Sequence, residues 1–171
     1  MNKWIIHCDY TILDNYKYRL VKDDTSLFAE VDFYSPIRSF FKGSKIYHSK
    51  ISIKNHAGDD IVKIYKHHLS PIRDVLYTVL IDDYSYAIRE GRNFKIPDLY
   101  IRTSMGRFNV WGKVNSKEFD IMYKDDGIAQ IQGHFENNTK SYELTYAEEY
   151  KEFENLFLSV ALILDNMYHY Y

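Results

Sequence analysis

Leu156-Phe-Leu-Ser-Val-Ala-Leu-Ile-Leu164 is apolar on every helical face except at Ser159. A helix with no polar side must be surrounded by protein rather than laid on a surface. The residues before it supply a start. Thr145 and Glu148 have the spacing of a capping box, in which the threonine oxygen accepts the third amide and the glutamate reaches back to the cap. Glu148, Glu149, Glu152 and Glu154 place negative charge at the positive end of the helix. The pattern predicts a helix over about 147–167. Its apolar core spans roughly 14 Å at about 1.5 Å per residue, close to the depth of a small barrel.

Upstream, from about Trp4 to Tyr146, the apolar period changes to two, and each run ends in a polar cluster, as in half-buried antiparallel strands joined by turns. Tyr16, Tyr18 and Leu20 alternate with Lys17 and Arg19. Ile46 and Ser49 to Ile53, then Ile61, Ile64 and Tyr65, flank the turn Asn55-His56-Ala57-Gly58. Phe119, Ile121 and Tyr123 precede Asp125-Asp126-Gly127, after which Ile128 to Phe135 resumes. About a dozen strands are expected. Ser35-Pro36-Ile37-Arg38 recurs as Ser70-Pro71-Ile72-Arg73, each after an apolar strand. Proline cannot donate to a sheet ladder, so both copies are expected at corners of a duplicated meander.

The chain of 171 residues, with 22 Lys plus Arg and 24 Asp plus Glu, suits one domain over 1–171. Its single cysteine, Cys8, excludes an intramolecular disulfide. Seventeen Tyr, 10 Phe and 2 Trp exclude a disordered chain, which is poor in such rings. The N-terminus has no secretory pattern, and the longest apolar run is far short of the roughly 20 residues that cross a bilayer as a helix. A cytoplasmic protein without a transmembrane segment is the expectation.

Chemistry is harder to find. Seven histidines form no i, i+2 pair on a strand or i, i+4 pair on a helix, and His7-Cys8 and His67-His68 point to opposite sheet faces, so no metal site is expected. The pairs Asp23-Asp24, Asp59-Asp60, Asp82-Asp83 and Asp125-Asp126 lie where turns are expected, and none has the alternating ligands of a cation loop. Phosphate-cradling glycine loops and nucleophile elbows are missing. Neither a catalytic residue nor a cofactor is assigned. A slightly acidic chain also argues against nucleic acid as the partner of its tyrosines.

A meander of about a dozen strands followed by one apolar helix resembles the tubby C-terminal-like superfamily, which includes tubby proteins, phospholipid scramblases and LURP-one-related proteins of plants and bacteria. The resemblance is carried by Ile51-Ser-Ile-Lys-Asn-His-Ala-Gly-Asp-Asp-Ile-Val-Lys-Ile, by Phe119-Asp-Ile-Met-Tyr-Lys-Asp-Asp-Gly-Ile-Ala-Gln-Ile, by Ser141-Tyr-Glu-Leu-Thr-Tyr and by Phe157-Leu-Ser-Val-Ala-Leu-Ile-Leu-Asp165. It looks like a bacterial member. The resemblance implies a β-rich fold, α+β by content, with a single antiparallel β-barrel of about 12 strands and a buried C-terminal α-helix along its axis. The usual turn glycine is missing at Asp14-Asn15-Tyr16 and Asp23-Asp24-Thr25, and the scramblase cysteine cluster is absent, so scrambling and calcium binding are not carried over.

The resemblance also implies lipid recognition by basic barrel residues. Phe33 to Gly58 contains no acid but holds Arg38, Lys42, Lys45, Lys50 and Lys54. Arg38, Lys42, Lys45 and Lys50 are the candidate lipid- or anion-binding residues, since cations near an anionic surface attract it. A solvated strand face with lysines opposite acids of a neighbouring strand is the competing reading. The expected function is a non-enzymatic cytoplasmic binding module, peripheral to the membrane, docking on anionic lipid head groups. The alternatives are a protein-protein interaction or scaffold domain without a lipid role, and a hydrolase or transferase whose site is assembled from distant residues.

Overall fold

The structure, a computed structural model, describes residues 1–9, 17–33, 47–67, 75–91, 98–113, 115, 117–136 and 139–168. Twelve strands are found among them: β1 (Asn2–Asp9), β2 (Lys17–Lys22), β3 (Thr25–Phe33), β4 (Tyr47–Lys54), β5 (Asp60–His67), β6 (Val75–Ile81), β7 (Tyr84–Glu90), β8 (Asp98–Thr103), β9 (Gly106–Lys113), β10 (Glu118–Tyr123), β11 (Asp126–Glu136) and β12 (Thr139–Tyr146). Each pairs antiparallel with its sequence neighbours, and β1 pairs with both β2 and β12 to close the barrel. Closure leaves no edge strand to recruit another chain.

Alternation decides which side chains go inside. Trp4, Ile6 and Cys8 of β1, Ile51 and Ile53 of β4, and Tyr142, Leu144 and Tyr146 of β12 are buried, whereas Lys3, His7 and Arg19 between or opposite them are exposed. An apolar interior with a polar exterior is the inverse of a membrane-spanning barrel, whose apolar band faces lipid. No helix among the described residues is long and apolar enough to cross a membrane.

The interior is filled by α1 (Glu154–Tyr168), in which every residue from Leu156 to Asn166 is buried and packed in one cluster with the inward strand residues. The expected helix differs at its start. Residues Glu148–Phe153 form a 3-10 helix, kinked at Tyr150, before α1 turns into the barrel. The capping box expected at Thr145 and Glu148 does not form. Thr145 is committed to β12, in register with Lys3 and Gln130, and Ala147 occupies the cap position without a side-chain bond. Glu148 instead accepts a hydrogen bond from Asn2 Nδ2 at 2.5 Å.

The two ends of the barrel are built differently. At one, which we call the hairpin end, strands are joined through 23–24, 55–59, 82–83, 104–105 and 124–125. Asp23-Asp24 and Asp82-Asp83 fill two of these turns, while Asp59-Asp60 and Asp125-Asp126 span the last turn residue and the first residue of β5 and β11; Asp23 (φ 48°) and Asp82 (φ 50°) adopt the left-handed backbone that aspartate tolerates better than most residues. That tolerance replaces the missing glycine at Asp23-Asp24-Thr25. The other, the connection end, is where strands are joined through 10–16, 34–46, 68–74, 91–97, 114–117 and 137–138, nearly all outside the described residues. Tyr16, Ile46, Asp14-Asn15-Tyr16 and both Ser-Pro-Ile-Arg copies also lie outside them, and the two copies belong to equivalent connections, β3 to β4 and β5 to β6.

Candidate functional site

Inward-facing charge sits at both ends of the barrel and is anchored on the helix that fills it. At the hairpin end, the Glu154 carboxylate accepts hydrogen bonds from Trp4 Nε1 (2.9 Å), Lys22 Nζ (2.5 Å) and the Tyr146 hydroxyl. Burial alone would push the Glu154 pKa up, but the bonds from Lys22, Tyr146 and Trp4 outweigh it and hold the group below its usual range. For Lys22 burial works downward, and the bonds to Glu154 and Tyr146 prevail and raise it. Phe153 and Phe157 pack with Phe108 beneath this cluster, so it fastens the start of α1 to the barrel wall.

At the connection end Asp165 has 0% exposure. It accepts hydrogen bonds from Tyr18 (2.7 Å) and Tyr142 (2.6 Å) and pairs with Lys140 Nζ at 2.5 Å. Next to it on the chain, Asn166 Oδ1 accepts from the Tyr77 hydroxyl at 2.9 Å and from Lys66 Nζ at 3.1 Å. Burial, followed by the charge of Tyr168, pushes the Tyr77 hydroxyl well above its usual range. Tyr168, against Phe119, is pushed up to about 12 by burial and by the charge of Glu90. Tyr77 and Tyr168 therefore remain neutral at ordinary pH. Lys140, Tyr18 and Tyr142 converge on a carboxylate that no solvent reaches, so this group fixes the depth and rotation of α1 rather than meeting a substrate.

The sequence-level candidates divide. Arg38, Lys42 and Lys45 lie outside the described residues. Lys50 is on β4, half-buried, opposite Asp32 of β3 and with its Nζ 3.9 Å from Asp60 Oδ2. Lys54 pairs with Glu30 at 3.0 Å, so for these two lysines the competing reading, cations opposite acids of a neighbouring strand, is met. His56 contacts Ser26 and His67 contacts Thr78, and no group of three potential metal ligands occurs among the described residues. Sequence reasoning missed Lys22, Lys66 and Lys140 as inward groups, although each shares the parity of buried neighbours: Leu20, Ile64 and Tyr142. A charged residue at inward parity near a strand end was the signal that could have found them.

Outside the barrel, Trp111 is 51% exposed on β9, in register with Asp98 of β8 and Asp120 of β10. Beside it, a shallow cleft of about 500 Å³ is lined by Asp120, Gln130, Ile128 and Glu148 among others.

Charge also distinguishes the two ends. The five connections of the hairpin end contain Asp23, Asp24, Asp59, Asp82, Asp83 and Asp125 against Lys124 alone. The six of the connection end contain Arg38, Lys42, Lys45, Arg73, Arg92, Lys95 and Lys117 against Asp14 and Asp74. No family model, curated protein or solved structure matches the chain.

Proposed function

We propose that this chain is a non-enzymatic binding module, of tubby C-terminal-like kind, that docks the connection end of its barrel on anionic lipid head groups. The observation that carries the reading is the charge polarity along the barrel axis: seven cations and two acids in the connections of one end, six acids and one cation in those of the other. A molecule with a near-zero net charge but opposite ends of opposite sign is oriented by an anionic surface, which attracts one end and repels the other. Each cation brought near such a surface contributes about 1 kcal/mol, so three or four acting together give salt-sensitive, reversible attachment. Arg38, Lys42 and Lys45 belong to the longest of the basic connections and remain the leading candidates; Lys50, already beside Asp60, contributes less.

Interior chemistry supports the same reading. The carboxylates of Glu154 and Asp165 are occupied by partners that hold the helix, and the helix fills the space where a small-molecule barrel keeps its ligand. Co-sedimentation with phosphatidylserine-containing and pure phosphatidylcholine vesicles, at low and high salt, tests the proposal. Binding to the anionic vesicles alone, lost at high salt, is expected. Equal failure with both vesicle types at low salt refutes it. A protein partner is the second reading, favoured by the exposed Trp111 between Asp98 and Asp120 beside the shallow cleft; it expects binding that survives salt.

A further inference from the structure

Lys22 and Lys140, pointing inward, each meet a carboxylate of the segment that fills the barrel. Lys66 does not. It continues the buried series Val62 and Ile64 on β5, and at the mouth of the barrel its Nζ contacts Asn166 Oδ1 at 3.1 Å and lies 5.8 Å from the centre of the Tyr77 ring. No carboxylate among the described residues pairs with it, and burial holds its ammonium below the usual lysine range. A partly desolvated cation without a counter-charge is costly unless something else supplies one.

The hydrogen-bond inventory says what that something is. Lysine has only donors, so the Asn166 atom it touches is the oxygen, and that oxygen is also taken by the Tyr77 hydroxyl. Among the described residues, what remains unspent on the pair is the Asn166 amide N–H and the other ammonium hydrogens, every one a donor. Donors of this kind, with one full positive charge, match an oxygen-rich anion, and a lysine acts on phosphate as a point charge.

We propose that Lys66 and the Asn166 amide form a phosphoryl-binding site in the mouth of the barrel. The site lies where β5 ends and β4 and β6 begin, beside the strand ends joined by 34–46 and 68–74. The inference rests on the docking reading for its natural ligand: the phosphoryl group is that of a lipid head group or of a soluble phosphate ester.

The test is an amide NMR titration with inorganic phosphate on the wild-type chain, Lys66→Gln and Asn166→Asp, run in parallel with co-sedimentation on phosphatidic acid/phosphatidylcholine vesicles. Asn166→Asp keeps an acceptor for Tyr77 while giving Lys66 its own carboxylate, so it blocks the site if Lys66→Gln fails to fold. Saturable shifts at Lys66 and Asn166 in the wild type, with affinity reduced by at least about tenfold in either variant, are expected. Absence of those shifts in the wild type, or their persistence in both variants, overturns the site. Vesicle binding that is equal in wild type and Lys66→Gln, without phosphate shifts, overturns the site and leaves the docking reading standing. Phosphate shifts without vesicle binding support the site, assign it to a soluble ester, and remove the membrane reading.

Discussion

Replacing Asp165 with asparagine removes one charge from a place with 0% exposure and leaves the geometry of the side chain almost unchanged. The carboxylate holds Lys140 at 2.5 Å together with two tyrosine hydroxyls, and Lys140 itself is only 6% exposed. The amide still accepts one hydroxyl, but the ammonium loses its counter-charge while remaining out of water. Breaking a buried pair from one side costs about 3–5 kcal/mol. For a chain of this size, at roughly 2–4 °C per kcal/mol, the melting temperature should fall by about 6–20 °C. Lys140→Met should cost a similar amount for the mirror-image reason. The double variant, with no buried charge, should cost clearly less than the sum of the two, because replacing both members of a buried pair by well-packed neutral groups is often near neutral. Urea denaturation followed by far-UV circular dichroism measures all three. A loss below about 1 kcal/mol for Asp165→Asn, or strict additivity in the double variant, refutes the buried ion pair as the anchor of α1.

Three further outcomes follow from the same packing. Leu162→Lys, at a position with no exposure in the middle of α1, introduces an ion with neither water nor a partner and should prevent folding, read as loss of a cooperative melt; a stable soluble variant contradicts the buried helix. Gly112→Ala should destabilise by about 1–3 kcal/mol in denaturant titration, because a Cβ there would stand 2.3 Å from Phe119 Cδ1 and 2.4 Å from the Glu118 carbonyl oxygen. Glu154, held below its ordinary value of 4.5, contributes stability that is complete above that pH and is lost as the pH falls through its lowered folded value. Thermal melts across the acid range should therefore show a steeper loss for the wild type than for Glu154→Gln.

The helix and the meander were legible because burial imposes a strict period. Nine residues without a polar face admit only an interior helix, and alternation such as Tyr142, Leu144, Tyr146 against Ser141, Glu143, Thr145 admits only a strand with one wet side. The helix start was not legible. Thr145 has the chemistry of a cap and also the β-branching of a strand, and pairing with β1 and β11 decided for the strand. The interior lysines escaped for a related reason. Lys66 and Lys140 look like ordinary solvated charges until barrel closure brings Asn166 and Asp165 to them from 100 and 25 positions along the chain. The basic stretch at 33–58 was visible as composition, but only topology separates Lys50 and Lys54, on a strand beside acids, from the three cations in the connection at 34–46. Topology likewise brings to the same end the strand ends joined by 68–74 and 91–97, the connections whose sequence holds Arg73, Arg92 and Lys95, which no local pattern foretells.

Backbone amide hydrogen exchange, with and without phosphatidylserine-containing vesicles at low salt, tests the polarity of docking most directly. Docking through the connection end predicts that vesicles slow exchange at the strand ends of that end, including those of β3, β4, β5 and β6, and leave the hairpins at 23–24, 82–83 and 124–125 unchanged. Slowed exchange at the acidic hairpins, or no difference anywhere while the vesicles remain anionic and the salt low, contradicts it.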